Sequence, residues 1–535
     1  MRTTYQNGIV YTGDGWADSF TVEDGKFIRV GQTDRQLEDT GNTVDLGGHF
    51  VCAGFNDSHM HLLNFGQVLS MAQLSAHTDS LSGMLDYLRD YIVETKPETG
   101  EWVLGRGFNH DYFRDEPRFP TRYDLDRVST VHPICITRAC GHICVVNSKA
   151  LEMIGVDRST PQPEGGRIAH DENGEPNGQF FENALGLVLE RMPVPDEATI
   201  RRMLRLAAAR LNGYGITSCH SDDYEVFPDV GYETVLSAVK ALEDAGELTV
   251  RVQEQAQLTT PDALRGYIES GAARYQSALF KSGPLKLIGD GSLGAHTAYL
   301  SRPYADAPDT RGMAIYTQAQ LDEMIDCANR AGMAVAIHAI GDATLDRVLD
   351  AIEKALTSCP RENHRHGIVH CQITRPEQLE RIQKLHMHVY TQSIFLDYDT
   401  KIVRDRVGDA LAETSYAAKS LLSGGVSVSN GSDSPVEAPD VLRGITCAVT
   451  RRSIGSTDAP YRPAEALTVR EAIDSFTQGG AYASFEEDIK GKIAPGMLAD
   501  FVVLAQNPFE TAPEEIHTIA VLETYLGGKC VYKKA

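Results

Sequence analysis

From about residue 200 onward, apolar strand-like runs alternate with segments of helical period, and this alternation constrains the fold more than any other feature. The runs are GITSCHSDD (215–223), LTVRVQEQAQ (248–257), PLKLIGDG (284–291), MAVAIHAIGD (333–342), RHGIVHCQ (365–372), HVYTQSIF (388–395) and VSVSNGSDSP (426–435). Between them lie amphipathic stretches such as GYETVLSAVKALEDAG, TQAQLDEMIDCANRAG, TLDRVLDAIEKALTSC and RPEQLERIQKLH. With the earlier run GFNDSHMH (54–61) the strands number eight. Repeated strand–helix units of this count predict an α/β fold built on a distorted (β/α)8 TIM barrel. An open, doubly wound sheet is the alternative.

The two ends read differently. NGIVYTGDG, SFTVEDGKFIRVGQ and TVDLGGHFVCAGF near the start, and GKIAPGMLADFVVLAQNP and IAVLETYLGGKCVYKK near the end, are short strands punctuated by Gly and Asp. They predict a small β-sandwich domain assembled from residues 1–50 and 491–535, flanking a barrel over 51–490. Residues 70–195 fit no single strand–helix unit. A loop of that length is uncommon unless it is functional or folded in itself, so it reads as an insertion after strand 1, lying over the C-terminal face of the barrel.

Composition narrows the function. The chain has 535 residues, 42% of them hydrophobic, enough for a large core. Its formal net charge of −24 argues against nucleic acid and anionic membranes as partners. The first residues lack an apolar signal-like run, and no apolar stretch approaches the length of a membrane span. A cytoplasmic protein acting on a small molecule is expected, with a homodimer allowed. The ten cysteines contain no C-x-x-C pair and are expected to be reduced. No G-x-S-x-G elbow supports a serine hydrolase.

Polar residues recur where the strands end. His59 and His61 are separated by one residue, so a strand turns both to one face, where two imidazoles can hold one metal ion. Lys286 lies in the fourth strand, His338 ends the fifth, His370 the sixth and Asp433 the eighth. Singly, each has a plain structural role, and Asp433 in SDSP fits a helix cap. Jointly, on strands that end at one rim, they form a metal cage.

These residues carry a resemblance to the amidohydrolase superfamily, in particular the amidohydrolase-3 branch that includes N-substituted formamide deformylases. It runs through DSHMH (57–61), LKLIGDGSLGAHTAYLSRPY (285–304), AIHAIGDAT (336–344), IVHCQ (368–372), NGSDSPVEAP (430–439), LTVREAIDSFTQGGAYAS (467–484) and GKIAPGMLADFVVL (491–504). RACGHICVVNSKAL (138–151) and EGGRI (164–168) extend it into the insertion. The resemblance implies one or two divalent metals, usually Zn2+. His59, His61 and Asp433 would bind the more buried ion, and His338 and His370 the second. Lys286, carboxylated by CO2, would bridge them. It further implies attack on a substrate carbonyl by a metal-bound hydroxide, with Asp433 carrying the proton to the leaving nitrogen.

Where the branch often has Glu before the strand-six histidine, this chain has Val369. His142 is expected to be catalytic, bringing a polar group from the insertion. Asp290, Glu182, His220, Asp222 and Arg406 are candidates for orienting ligands or touching substrate. The expected activity is hydrolysis of a non-peptide C–N bond in an amide, N-acyl or N-formyl group. The alternatives are cyclic amides or esters, or a non-catalytic, metal-stabilised regulatory protein on the same scaffold.

Overall fold

The computed structural model describes residues 2–31 and 41–535. Eight parallel strands form one sheet: β1 (Phe55–Met60), β2 (Ile216–Ser221), β3 (Arg251–Gln257), β4 (Phe280–Ile288), β5 (Val335–Ala339), β6 (Gly367–His370), β7 (His388–Thr391) and β8 (Ser427–Asn430). Each pairs with the next in chain order. Helices return the chain between strands, among them Tyr232–Asp244, Gln318–Arg330, Asp342–Ser358 and Pro376–Lys384. Their starts are written locally. Thr317 and Gln320 form a reciprocal capping box, and Pro261 and Pro376 occupy first-turn positions where a missing N–H costs nothing.

The segment after β8 stitches the sheet towards a barrel. Asp433 N donates to His59 O (2.8 Å), and His61 N donates to Ser434 O (2.8 Å). Ser432 donates to the Asp57 carboxylate through both its N (2.9 Å) and its Oγ (2.5 Å). Gly431 permits this approach. A Cβ there would sit 2.5 Å from His59 N and 2.6 Å from His59 O, distances no side chain tolerates.

GDGSLG (289–294), directly after β4, has the G-x-G-x-x-G spacing of a dinucleotide-binding turn. No helix follows it until Gln318, and the barrel takes the place of the open sheet. The segment serves instead to place Asp290.

The chain ends pack together. A four-stranded sheet (Arg2–Gln6, Ser19–Glu23, Lys26–Gly31, Asn42–Asp45) and a six-stranded sheet share one buried core. The second sheet joins Phe50–Ala53 antiparallel to Phe501–Leu504. In the core, Tyr5 stacks on Phe20 (4.9 Å) and Phe501 on Tyr525 (4.3 Å). The boundary expected at residue 50/51 therefore falls inside a strand. The apolar run FVCAGFNDSHM feeds two sheets, breaking at Gly54. Periodicity cannot separate two fully buried strands in one run.

Gly66–Asp196 form a second compact unit. It carries a mixed six-stranded sheet in the order Gly166–His170, Pro176–Glu182, Ile143–Val146, Ile134–Arg138, Val103–Phe108, Ala72–Gln73. Its own apolar clusters include Leu85, Phe108 and Ile136, and Phe180, Leu151 and Cys144. All ten cysteines of the chain are free, and no helix among the described residues is long and apolar enough to cross a membrane.

Candidate metal centre

The strand-end histidines meet at one rim of the barrel. The rings of His59 and His61 lie 5.4 Å apart between centroids, those of His59 and His370 5.8 Å, and those of His338 and His370 4.5 Å. Each ring is held by the same device. His59 Nδ1 faces Gln255 Oε1 (2.8 Å), and His370 Nδ1 faces Gln392 Oε1 (2.7 Å). Both amides are oriented by their own nitrogens, which donate to Ser58 O (3.3 Å) and Tyr390 O (3.2 Å) respectively. His338 Nδ1 faces Asp290 Oδ1 (3.0 Å), and His61 Nδ1 is in close contact with Asp222 Oδ1. An acceptor at every Nδ1 sets the Nδ1–H tautomer and leaves Nε2 available as a ligand, the usual support of metal-binding imidazoles.

The donor spacing fits a cation. His59 Nε2 and His61 Nε2 lie 3.3 and 3.0 Å from Asp433 Oδ1, and Lys286 Nζ is 3.2 Å from His59 Nε2. Ligands about 2.0–2.1 Å from a tetrahedral ion are separated by about 3.3 Å. The donors of His59, His370 and Asp433 fall within 4.8 Å of one another, as do those of His59, His61 and Asp222. The residues therefore fit a divalent ion.

The backbone supports the same points. His370 (φ 73°) and Asp433 (φ 59°) both occupy the left-handed region, at a cost of about 1 kcal/mol or more each. Asp433 is not a helix cap; the next helix, Val441–Thr450, is capped by Asp440. Instead, Asp433 aims its carboxylate at the histidines.

Electrostatics explain which groups ionise. Burial opposes a charged Asp433, but its close contacts with the His59 and His61 rings outweigh it and hold its pKa well below the usual carboxylate range. Burial likewise opposes a charged Asp222, but His61 and Lys286 hold it low. Burial and then the Lys286 charge depress His59, while burial and then His338 depress His370. His61 is the exception. Burial works against its cation, yet Asp222 and Asp433 push it up to about 10. A metal at Nε2 would have to displace that proton.

The other candidates separate clearly. Asp290 accepts from Tyr299 N, Ile340 N and Gly341 N as well as His338, which makes it a rigid anchor. Asp222 bridges His61 and Lys286 Nζ, the latter at 2.6 Å. His220 is buried in β2, two residues before Asp222. Burial keeps it neutral, and none of the cage residues supplies its ring nitrogens with a hydrogen bond. Val369 packs with Ala336, Tyr390 and Ala483 in an apolar layer. Arg406 is engaged by Asp306, and none of its contacts is with the cage. His142 and Glu182 lie in the other compact unit, paired with each other at 2.9 Å.

Gln255 and Gln392 are the members that sequence reasoning does not single out. Their signal is an amide at an inward position of a buried strand or just past its end, where an uncharged polar group needs a partner.

An eight-stranded barrel whose strand ends carry four backed imidazoles and a carboxylate defines a metal-dependent hydrolase. The chain belongs to the amidohydrolase family, whose pattern matches residues 42–532. It is 34% identical to YtcJ of Bacillus subtilis (strain 168), with both chains covered in full. It is 27% identical to the N-substituted formamide deformylase of Arthrobacter pascens, over 92% of this chain and 90% of the relative. The crystal structure of an uncharacterized metal-dependent hydrolase from Pyrococcus furiosus superposes with a TM-score of 0.78 at 28% identity, covering 95% of this chain and 100% of that one.

Proposed function

We propose that this protein hydrolyses a non-peptide C–N bond in an amide or N-acyl group of a small molecule. The observation that carries the reading is the set of four imidazoles with every Nδ1 occupied, converging with Asp433 at one rim. The named activity of the Arthrobacter pascens relative supports the choice of bond. His59, His61 and Asp433 would hold one divalent ion, His338 and His370 a second, and zinc suits this nitrogen and oxygen donor set. Bound there, the ions would activate water and polarise the substrate carbonyl.

The chain's own residues then have distinct tasks. Asp433 is held ionised between two imidazoles, so it can accept a proton from the attacking water and deliver it to the departing nitrogen. Gln255, Asp222, Asp290 and Gln392 keep the four rings from turning. Lys286 is buried beside Asp222 and His59. Its carboxylation would place an added anion next to Asp222, a charge that only bound cations could balance. The carbamate should therefore form with the metals and revert on their removal, which 13C NMR of protein loaded with labelled CO2 reads directly. A catalytic His142 rests on the resemblance of RACGHICVVN alone.

The test of function is a screen of N-formyl, N-acetyl and cyclic amides against esters, using metal-replete protein. Release of an amine from an open-chain amide is the expected result. Turnover of esters or cyclic amides with none of the open-chain amides would overturn the proposed bond class.

A further inference from the structure

The loop after β7 and the turn after helix Val441–Thr450 enclose a cavity of about 350 Å³ that none of the cage histidines lines. Its walls carry Lys401, Arg404, Arg451, Arg452 and Arg462, against one carboxylate, Asp458. In a chain of net charge −24 this is a local reversal of sign.

The cations are unequally neutralised. Arg404 pairs with Asp409 (2.9 Å) and Glu413 (2.7 Å), and Arg462 with Glu465 (3.3 Å). Arg452 reaches Glu514 only at 3.5 Å, and its buried Nε has no partner. Lys401 and Arg451 have no ion pair among the described residues. Arg451 is the telling one, because it is 3% exposed. Its Nε donates to Tyr461 O (3.1 Å), while its Nη2 is buried with no partner.

A buried charge without a counter-ion is costly, and proteins normally pair it. Burial pulls the Arg451 pKa down to about 10, which leaves it cationic at neutral pH. The Tyr461 ring lies between two of these groups, with the guanidinium carbons of Arg404 and Arg451 each 5.8 Å from its centroid. The fold thus gathers positive charge around an open volume and leaves its innermost member unsatisfied.

We propose that this cavity binds a small phosphate-bearing anion, with Arg451 as the inner anchor and Lys401 and Arg452 at the rim. The three least neutralised cations, Arg451, Arg452 and Lys401, still offer more donors than the two oxygens of a carboxylate can accept. A phosphate presents three strong acceptor oxygens and close to two charges. The volume also leaves room for an organic remainder, since small-molecule sites begin at about 300 Å³. The site stands apart from the proposed hydrolysis and does not depend on it.

Calorimetric titration of full-length, metal-replete protein tests this, with inorganic phosphate, glycerol 3-phosphate and citrate as probes at constant ionic strength. Phosphate can also meet the metals, so the comparison is between wild type and variants of equal metal content. Wild type should bind at least one of the two phosphates, tighter for glycerol 3-phosphate if the organic part is recognised. Lys401→Ala with Arg452→Ala should weaken that binding at least tenfold, and Arg451→Met should abolish it. Should Arg451→Met fail to fold, the rim double variant decides. Unchanged affinity in the variants, no phosphate binding by wild type, or citrate binding tenfold tighter than either phosphate would each overturn the proposal.

Discussion

Two histidine–carboxylate pairs of nearly equal length do different work in this molecule. His338 Nδ1 and Asp290 are 3.0 Å apart, with side chains 14% and 0% exposed. His142 Nδ1 and Glu182 are 2.9 Å apart, with side chains 67% and 60% exposed. The hydrogen bond is the same. In the first pair the carboxylate is fixed by three backbone N–H groups, so the ring's orientation is settled before any ligand arrives. In the second, water competes for both partners, and such a pair contributes about 0–1 kcal/mol. A motif therefore reads as a ligand or as a surface contact according to what stands behind it.

The largest expected effect tests the buried side at its most charged point. Asp433→Asn keeps the size of the side chain and the backbone bond to His59, and should lower turnover at least about a hundredfold. Its metal content, read by elemental analysis, should fall less than that of His59→Ala with His61→Ala, which should lose the more buried ion. Near wild-type turnover would remove the proton-carrying role.

Asp290→Ala removes the acceptor behind His338 while sparing the ligand itself. Loss of such backing typically costs about 10–100-fold in metal affinity. Competition with a chromogenic chelator measures it. Unaltered affinity would mean that Asp290 serves the loop and not the imidazole.

His388 extends the comparison to a buried imidazole without a carboxylate. It lies between Ser427 Oγ (3.0 Å) and Ser429 Oγ (2.8 Å), and burial, then Arg365, lowers its pKa to about 3. As pH falls below 6.5, the unfolded chain takes up this proton and the folded chain does not. Stability should drop by about 1.4 kcal/mol per pH unit from this residue until about pH 3. His388→Gln should flatten the pH dependence of the denaturation midpoint by that one proton. Parallel curves for the two proteins would show that His388 stays unprotonated in neither state or in both.

The smallest effects belong to the exposed pair. Glu182→Gln should shift stability by under about 1 kcal/mol. His142→Ala should leave metal content at the wild-type level and, if the residue touches substrate, lower kcat/KM about tenfold, the worth of one hydrogen bond. Metal loss in His142→Ala would erase the distinction between the two pairs.

The sequence by itself determined the count of barrel strands and the residue types at their ends. Both are local signals: apolar runs of strand length, and charged or imidazole groups placed in them at an energetic cost. It also brought Asp222 and Asp290 into view. It could not choose their partners. His59 meets Gln255 across 196 positions, and His61 meets Asp433 across 372. Those encounters depend on strand register and on the close approach at Gly431. The division of FVCAGFNDSHM between two sheets, the amides behind His59 and His370, and the unpaired Arg451 were decided by tertiary structure alone. Periodicity reports which face of an element is buried, whereas a hydrogen-bond partner or a missing counter-ion is a property of what the rest of the chain brings to that face.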